Sequence, residues 1–466
     1  MSPAQVDVGA ALADAAPRPV WWEGRGRYAP ADPLVGDHTA DLVVVGGGLT
    51  GLWTAIVALE EEPGRSVVVL ESGHVGAGAS GRNGGFVSDS LTHGLSHGVA
   101  TWPSELRELI RLGRENLAEI DQFVADEKID ADLRLCGKTT VATRPHEVES
   151  LRRLAELQRE HGEESTYLTA DEVRADVHSP TYLAGLRTTA GGLVDPVALT
   201  LGLRDAAVRR GAMIHEESPV TRLERDGDVV CSTPRGSVRA RQVVLATNAF
   251  RPLLRRLRAY VLPVWDHVLA TEPLTAEQLS RIGWRENQGL TDAGNQFHYY
   301  RRTPDDRIVF GGYDAIYYFG GRTEAGLEQR EASHRLLARH FYETFPQLSD
   351  VRMTHRWAGM IDTTSRFTPV FGTAMAGRVA YAVGYTGLGV AASRFGARVA
   401  LDLLAGRETE RTAVALVQRR PVPFPPEPLR WPAVQVTRSA LAREDRTGRR
   451  GGLLRTMDRF GVGFNS

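Results

Sequence analysis

The sequence predicts an α/β protein in which a parallel βαβ domain is interleaved with a second domain built on an antiparallel sheet plus helices. Three observations carry this. The run Leu42-Val43-Val44-Val45-Gly46-Gly47-Gly48-Leu49-Thr50-Gly51 precedes a second apolar strand, Val67 to Leu70, that ends on Glu71. A strand, a Gly-rich turn and a helix recur at Tyr381 to Val390, leading into a helix that ends near Gly406. Between them, from Trp265 to Phe310, β-rich segments alternate with turns such as Thr303-Pro304-Asp305-Asp306, the pattern of an antiparallel sheet. At 466 residues the chain exceeds the size at which one core stops growing, so two domains are expected.

The first motif has a chemical meaning. An apolar strand, a Gly-x-Gly-x-x-Gly turn and a helix N-terminus place unpaired backbone N–H groups where a pyrophosphate can sit. Gly46 allows the tight turn, Gly48 the close approach of the phosphates, and Gly51 the packing of helix on strand. Glu71 stands 20 residues beyond Gly51, where a carboxylate accepts hydrogen bonds from a ribose diol. With 48 glycines in the chain a lone match would be weak. Here strand, loop, helix, strand and acid fall within about the ~30 residues of one βαβ unit.

The remaining elements follow in order. Residues 1–37 read as an arm carrying Trp21-Trp22, laid over the first domain. The loop from Gly76 to Phe86 is too glycine-dense for a helix interior. Leu106, Leu109, Ile110, Leu117, Ile120 and Val124 mark an amphipathic helix, and Val148, Leu151, Leu154 and Leu157 a second. Asp195-Pro196 is an N-cap with proline at the first helical position, opening a helix to Gly211. Strand-like pieces lie around Ile214, Val220, Val229-Val230 and Val238, and the last runs from Val243 into Ala246-Thr247-Asn248-Ala249. A helix from about Glu324 to Phe345 stops at Pro346, and the Pro- and Arg-rich tail from Pro421 reads as a surface wrap. The division expected is 38–98, 186–262 and 354–410 for the βαβ domain, 99–185 and 263–353 for the second, and 411–466 for the tail.

A formal net charge of -1 gives no basic field, so nucleic acid is not an expected partner. No run reaches the ~18 apolar residues of a membrane span, and the acid-bearing N-terminus is unlike a secretory signal. Two cysteines, Cys136 and Cys231, both in strand-like contexts, cannot form a disulfide framework and fit a reducing, cytoplasmic setting. Of 56 basic residues only Lys128 and Lys138 are lysines.

In their order, these blocks resemble the D-amino-acid oxidase superfamily of FAD enzymes, most closely the γ-glutamylputrescine oxidase branch through Trp21-Trp22 and Ala79-Ser80-Gly81-Arg82-Asn83-Gly84-Gly85. The resemblance implies a glutathione-reductase-like FAD-binding domain and a substrate domain. It implies that Gly46, Gly48, Leu49, Thr50 and Gly51 hold the FAD pyrophosphate, that Glu71 lies at the adenosine ribose, and that Ser72 also binds the cofactor. Ala79, Ser80, Arg82, Asn83, Gly84, Gly85 and Phe86 would pass the flavin, with Val220 near adenine and Ala246 and Thr247 also binding the cofactor. Gly384, Tyr385, Thr386, Gly387, Leu388 and Gly389 would aim a helix N-terminus at the pyrimidine edge, where a reduced flavin is anionic. Against this, Val220 and Ala246 to Ala249 also read as sheet core, Arg82 as a loop brace, and of Tyr299, Tyr300 and Tyr313 one is expected to line a pocket. His267, His298 and His355 lack metal-ligand spacing, so no metal is expected.

Two departures narrow the chemistry. Amino-acid-oxidising relatives carry Trp-x-Gly-x-Arg-Pro, whose arginine clamps the substrate α-carboxylate; this chain reads Trp357-Ala358-Gly359-Met360-Ile361-Asp362, with isoleucine at the clamp. The substrate expected is therefore a small-molecule amine recognised elsewhere, with Arg366, Arg302 or Arg301 as partners for a remote anionic tail. Sarcosine oxidases place a lysine against the flavin, whereas Arg307-Ile308-Val309-Phe310-Gly311-Gly312 has none; reaction with oxygen is expected to be slower than theirs unless His267 or His355 supplies the charge.

The function expected is FAD-dependent oxidation of an amine C–N bond by hydride transfer to flavin N5, giving an imine that hydrolyses to an aldehyde, with oxygen or another acceptor reoxidising the flavin. FAD is expected to be non-covalent, since neither cysteine lies in a flavin-proximal motif. Pocket candidates are Phe86, His267, Tyr300, Trp357 and Arg366, with no proton-transfer residue named. The alternatives are an FAD-dependent amino-acid dehydrogenase or oxidase, a pyridine-nucleotide-dependent reductase or monooxygenase, which lacks its second complete fingerprint here, and a non-catalytic flavin-binding protein.

Overall fold

The structure is a computed structural model that describes residues 6–26 and 28–463. Two eight-stranded sheets organise it. The first places Gly36–Val45 between Val67–Leu70 and Gly236–Leu245, parallel to both, so that Val45 lies beside Leu70 on one side and Leu245 on the other. Outside these lie Met213–His215 at one end, and Val379–Val383 and Val370–Ala374 at the other. The hairpin of Arg222–Asp226 and Asp228–Thr233 extends from Gly236–Leu245.

The unbroken valine runs are explained by burial on both faces. Leu42, Val44, Val67 and Val69 join one core cluster with the helices Leu49–Glu61 and Gly389–Ala405, while Val43, Val45, Val68 and Leu70 join another on the opposite face. That split is the period of two of a strand.

In the second sheet the order is Met353–Thr363, Leu262–Thr271, Ile308–Gly312, His298–Arg302, Gly289–Asp292, Lys138–Ala142, Ala184–Thr188 and Ser165–Thr169. It is antiparallel except where Gly289–Asp292 runs parallel to Lys138–Ala142. The helix Glu331–Thr344 covers one face through Leu337 and Phe341, with Phe345 following at its end.

The structure differs from the sequence reading in five places. Met353–Thr363, expected in the first domain, pairs with Leu262–Thr271 from Leu262 to Thr271, because its alternating burial suits an antiparallel edge. The helix expected from Glu324 begins at Glu331, since Gly326 is left-handed (φ 92°) and Arg330 is still extended. Cys136 precedes a strand without belonging to one and is half-buried, whereas Cys231 is buried inside a strand. The arm reaches the second domain: Ala11, Leu12 and Ala15 pack with Leu269 and Phe341. The tail is not merely a wrap, for it forms the helices Arg430–Thr447 and Gly452–Arg459. Among the described residues no helix is long and apolar enough to cross a membrane, and no group of three or more His, Cys, Asp or Glu could hold a metal.

Candidate functional site

The first glycine turn is held where side chains cannot follow. Gly46 has φ 111°, and a Cβ there would lie 2.5 Å from the Ala246 carbonyl oxygen, while one on Gly51 would lie 1.8 Å from that of Gly46. Ala246 N–H donates to Val45 O (2.9 Å), which brings the Ala246-Thr247 turn against the motif. The helix N-terminus is met by Ser80, whose Oγ accepts from Leu49 N–H (2.9 Å) and would be 2.8 Å from a Cβ on Gly48. Glu71 accepts from Gly47 N–H (2.7 Å), Gly73 N–H (2.9 Å) and Ser72 Oγ (3.1 Å). A carboxylate has about four lone-pair sites, so with three used one is left for a ribose hydroxyl. Ser218 N–H donates to Glu71 O (2.7 Å), bringing Val220 to this end, where it is half-buried against the sheet cluster.

A buried acid shapes the second turn. Asp362 accepts from Gly384 N–H (2.5 Å) and Tyr385 N–H (3.1 Å), and its carbonyl accepts from Thr386 N–H (3.3 Å). Burial pushes its carboxyl up to about 6, with the two N–H groups pulling the other way. Gly384 is left-handed (φ 86°), and Thr364 would stand 2.3 Å from a Cβ there. Thr50 Oγ1 donates to the Tyr385 hydroxyl (3.0 Å), tying the two turns together before the helix that starts at Gly389.

A third segment, Ala79 to Phe86, lies between these turns and the second sheet. Two indoles fix it: Trp357 donates to Arg82 O (2.8 Å) and Trp21 to Asn83 O (2.9 Å). Asn83 Nδ2 bonds back to Ala79 O and Ser80 O, and Asn83 Oδ1 accepts from Gly85 N–H. Arg82 donates to Ala77 O and Ala358 O and pairs with Glu328 (2.6 Å), so bracing accounts for it. Gly84 admits the Tyr299 ring, 2.4 Å from where a Cβ would be.

One cavity of about 1640 Å³ opens against this segment. Its walls include Arg82, Asn83, Gly84 and Phe86, the Thr386 to Leu388 turn, and Met360 and Ile361. Asp266, Tyr299, Thr291 and Lys138 contribute from the second sheet, and Val436, Leu441 and Met457 from the C-terminal helices. Tyr299 donates to Asp266 (2.6 Å), whose carboxyl is pushed up to about 6 by burial. Two of the three tyrosines line the cavity, Tyr299 and Tyr313, where one was expected.

Of the pocket candidates only Phe86 lies on this wall. His267 and Tyr300 follow Asp266 and Tyr299 along their strands and so point to the opposite face: His267 packs on His334 (5.1 Å between rings) and Tyr300 bonds Tyr182 (2.8 Å). Trp357 is buried with Val268 and Val309, its N–H already used. Arg366 is buried, its guanidinium donating to the carbonyls of Arg419, Pro369 and Leu416. Arg301 is taken up by Gly85 O, Val194 O and Asp132, and Arg302 by Trp284 O and Asp306. None of these three arginines is free for a distal acid. Burial pulls His267 down to about 4 and lowers His355, so neither carries the charge suggested for it near neutral pH.

The residues that sequence reasoning missed are Asp266, Asp362, Lys138 as a wall residue, and the tail. For Asp266 the only available signal was alternation with Val264 and Leu262 along its strand, and all three line the cavity.

Comparison with known proteins bears on this geometry. A family model described as FAD dependent oxidoreductase (DAO) matches residues 41–403. The chain is 32% identical over 405 residues to gamma-glutamylputrescine oxidoreductase of Escherichia coli (strain K12), covering 85% of this chain and 91% of that protein. It is 26% identical to sarcosine oxidase subunit beta of Arthrobacter sp, covering 71% and 78%. Among solved structures, glycine oxidase from Geobacillus kaustophilus superimposes with a TM-score of 0.68 at 20% identity, covering 82% of this chain and 98% of that one, a likeness of fold.

Proposed function

Because this chain belongs to the DAO family of FAD dependent oxidoreductases, we propose that it oxidises the C–N bond of an amine that lacks a nearby α-carboxylate, with FAD held non-covalently. The Gly46 to Gly51 turn and Ser80 would hold the pyrophosphate, Glu71 and Ser72 the ribose, and the Gly384 to Gly389 turn the pyrimidine edge. The fit rests on close approach: the backbone at Gly46, Gly51 and Gly384 leaves no room for a Cβ, and the Thr50–Tyr385 bond brings together the turns that open two helices. Bound FAD would supply hydride acceptance at N5, leaving an imine that hydrolyses to an aldehyde.

The chain's own residues position and exclude. Trp21 and Trp357 fix the Arg82-Asn83 segment, Tyr299 and Ile361 floor the cavity beside it, and the C-terminal helices cover it. Non-covalent attachment is supported by the cysteines. Cys231 sits in the hairpin core with its thiol pushed up to about 12 by burial, and neither cysteine lines the cavity.

The observation that carries the substrate reading is the apolar wall at Met360 and Ile361, where a guanidinium fork would be needed to anchor an α-carboxylate. The relatives named for γ-glutamylputrescine and for sarcosine both act on amines and support the reaction class. An anaerobic screen of purified holoprotein, read by bleaching of flavin absorbance, tests it. Aminoalkyl compounds with a distal acid should reduce the flavin faster than glycine, sarcosine or D-alanine at equal concentration; the reverse order refutes it.

A further inference from the structure

Asp266 and Lys138 sit at opposite ends of the cavity wall, and among the described residues neither has an ion pair; of the other wall acids without one, Asp445 accepts three N–H bonds from Asn295 and Gln296, and Glu164 is exposed. Asp266 is 9% exposed. Its partners are the Tyr299 hydroxyl and the His267 backbone N–H; among the described residues no Arg, Lys or His lies within 4.0 Å. The charged groups that reach it from further away, His298 and Asp314, act in opposite directions, and each is engaged elsewhere, His298 by Asp292 and Asp314 by Arg330 and Arg438. A buried carboxylate without a cation is costly to maintain. A cationic ligand in the cavity relieves that cost.

Lys138 is the counterpart. It lines the cavity, and its ammonium forms no ion pair or side-chain hydrogen bond among the described residues. The nearest acids, Asp89 and Glu163, are each met by Arg114, at 3.9 and 4.0 Å. The wall arginines behave differently: Arg82, Arg114, Arg153, Arg438 and Arg450 are paired with acids, and Arg430 bonds the Pro425 carbonyl.

Sheet register places the two charges. The row Val268, Gly311, Tyr299, Thr291, Thr140 crosses five strands of the sheet. Asp266 lies two residues to one side of this row on its first strand, and Lys138 two residues to the other side on its last. Four strand spacings and four residues of rise put their Cα atoms on the order of 20 Å apart. Tyr299, under the Gly84 segment, marks the Asp266 end as the one beside the flavin loop. Lys138 lies outward, next to Gly289, over which Phe86 is packed.

We propose that this cavity takes an amine carrying a remote carboxylate: Asp266, held by Tyr299, receives the ammonium end and accepts its proton, leaving the neutral amine from which hydride departs, and Lys138 binds the carboxylate. This rests on the amine-oxidising function above and adds to it the two anchoring residues and a length. Allowing for the reach of the lysine side chain and for a hydrogen bond at each end, the two charges of the ligand stand roughly 11 to 17 Å apart, about nine to fourteen bonds.

The test uses the holoenzyme and a homologous series of α,ω-amino acids, each matched with its terminal primary amide, with Kd and rate read from anaerobic flavin bleaching. In the wild type, affinity should peak within the stated length range, and there the acid should bind at least tenfold more tightly than the amide. Lys138→Met should collapse that acid-to-amide ratio to about one, and Lys138→Arg should restore most of it. Asp266→Asn should weaken acids and amides alike, by tenfold or more. Loss of affinity for acid and amide equally in Lys138→Met, or no length optimum in the wild type, overturns the proposal while leaving amine oxidation standing. Failure of every amine to bleach the flavin overturns both.

Discussion

Replacing Asp362 by alanine should disturb flavin binding from a position that touches only backbone. Its carboxylate is the acceptor for Gly384 N–H at 2.5 Å and Tyr385 N–H at 3.1 Å, both buried. Alanine leaves two buried donors unsatisfied, at about 1–3 kcal/mol each, so the folded turn loses roughly 2–6 kcal/mol. Gly384 cannot shift easily to new partners, since it is left-handed and pressed against Thr364. If FAD binds only the ordered turn, 2 kcal/mol of that cost alone weakens its Kd about thirtyfold. Asp362→Asn keeps one acceptor oxygen and sets an amide N–H against the other donor, so it should fall between wild type and alanine. The assay is titration of apoprotein with FAD by flavin fluorescence, alongside thermal melting of apo and holo forms. An alanine variant that binds FAD with wild-type affinity would refute the assignment of this turn to the cofactor.

Other consequences follow from the same geometry. Gly48→Val should drive a side chain into Ser80, displace its hydroxyl from Leu49 N–H, and leave mostly apoprotein, seen as a loss of yellow colour at unchanged far-ultraviolet dichroism. Acid precipitation of the wild type should release the chromophore into the supernatant; flavin in the pellet would show a covalent link. His93, His267, His334 and His340 are each pulled down to about 4 by burial, so the unfolded chain binds more protons between pH 4 and about 6.5, and their contribution to stability is lost as pH falls through that window. Asp266 and Asp362, raised to about 6, act oppositely over an overlapping window, the folded chain holding more protons there. His97 and His355, also lowered, act with the histidines, and Asp89, Glu163 and Asp176, also raised, act with the two aspartates; with six imidazoles against five carboxyls, and acids such as Glu127 held low by arginine adding to the loss, the denaturant midpoint should fall from pH 6.5 to 4, and a rise would refute this. His267→Ala should leave flavin reoxidation by oxygen unchanged in stopped-flow mixing, because the ring is neutral and faces away from the cavity.

By itself, the sequence determined the elements whose signals are local. The spacing of Gly46, Gly48, Gly51 and Glu71, and the Asp195-Pro196 cap with its side-chain bonds to Val197 and Ala198 N–H, depend on neighbours within a turn or one βαβ unit. The continuous valine strands announced a sheet buried on both faces for the same reason. Tertiary structure decided what depends on partners far along the chain. Whether Asp266 or His267, Tyr299 or Tyr300, faces the cavity is a choice of strand face, and a period of two specifies the alternation without saying which side holds the site. Arg301, Arg302 and Arg366 looked free because their acceptors, mostly backbone carbonyls such as Gly85, Trp284 and Leu416, carry no sequence signature. The tail and Lys138 came to the cavity only through packing, since no local pattern records which surface a distant helix covers. The cofactor cradle was legible because backbone conformation makes it; the substrate wall was not, because it is assembled from side chains that meet only in the fold.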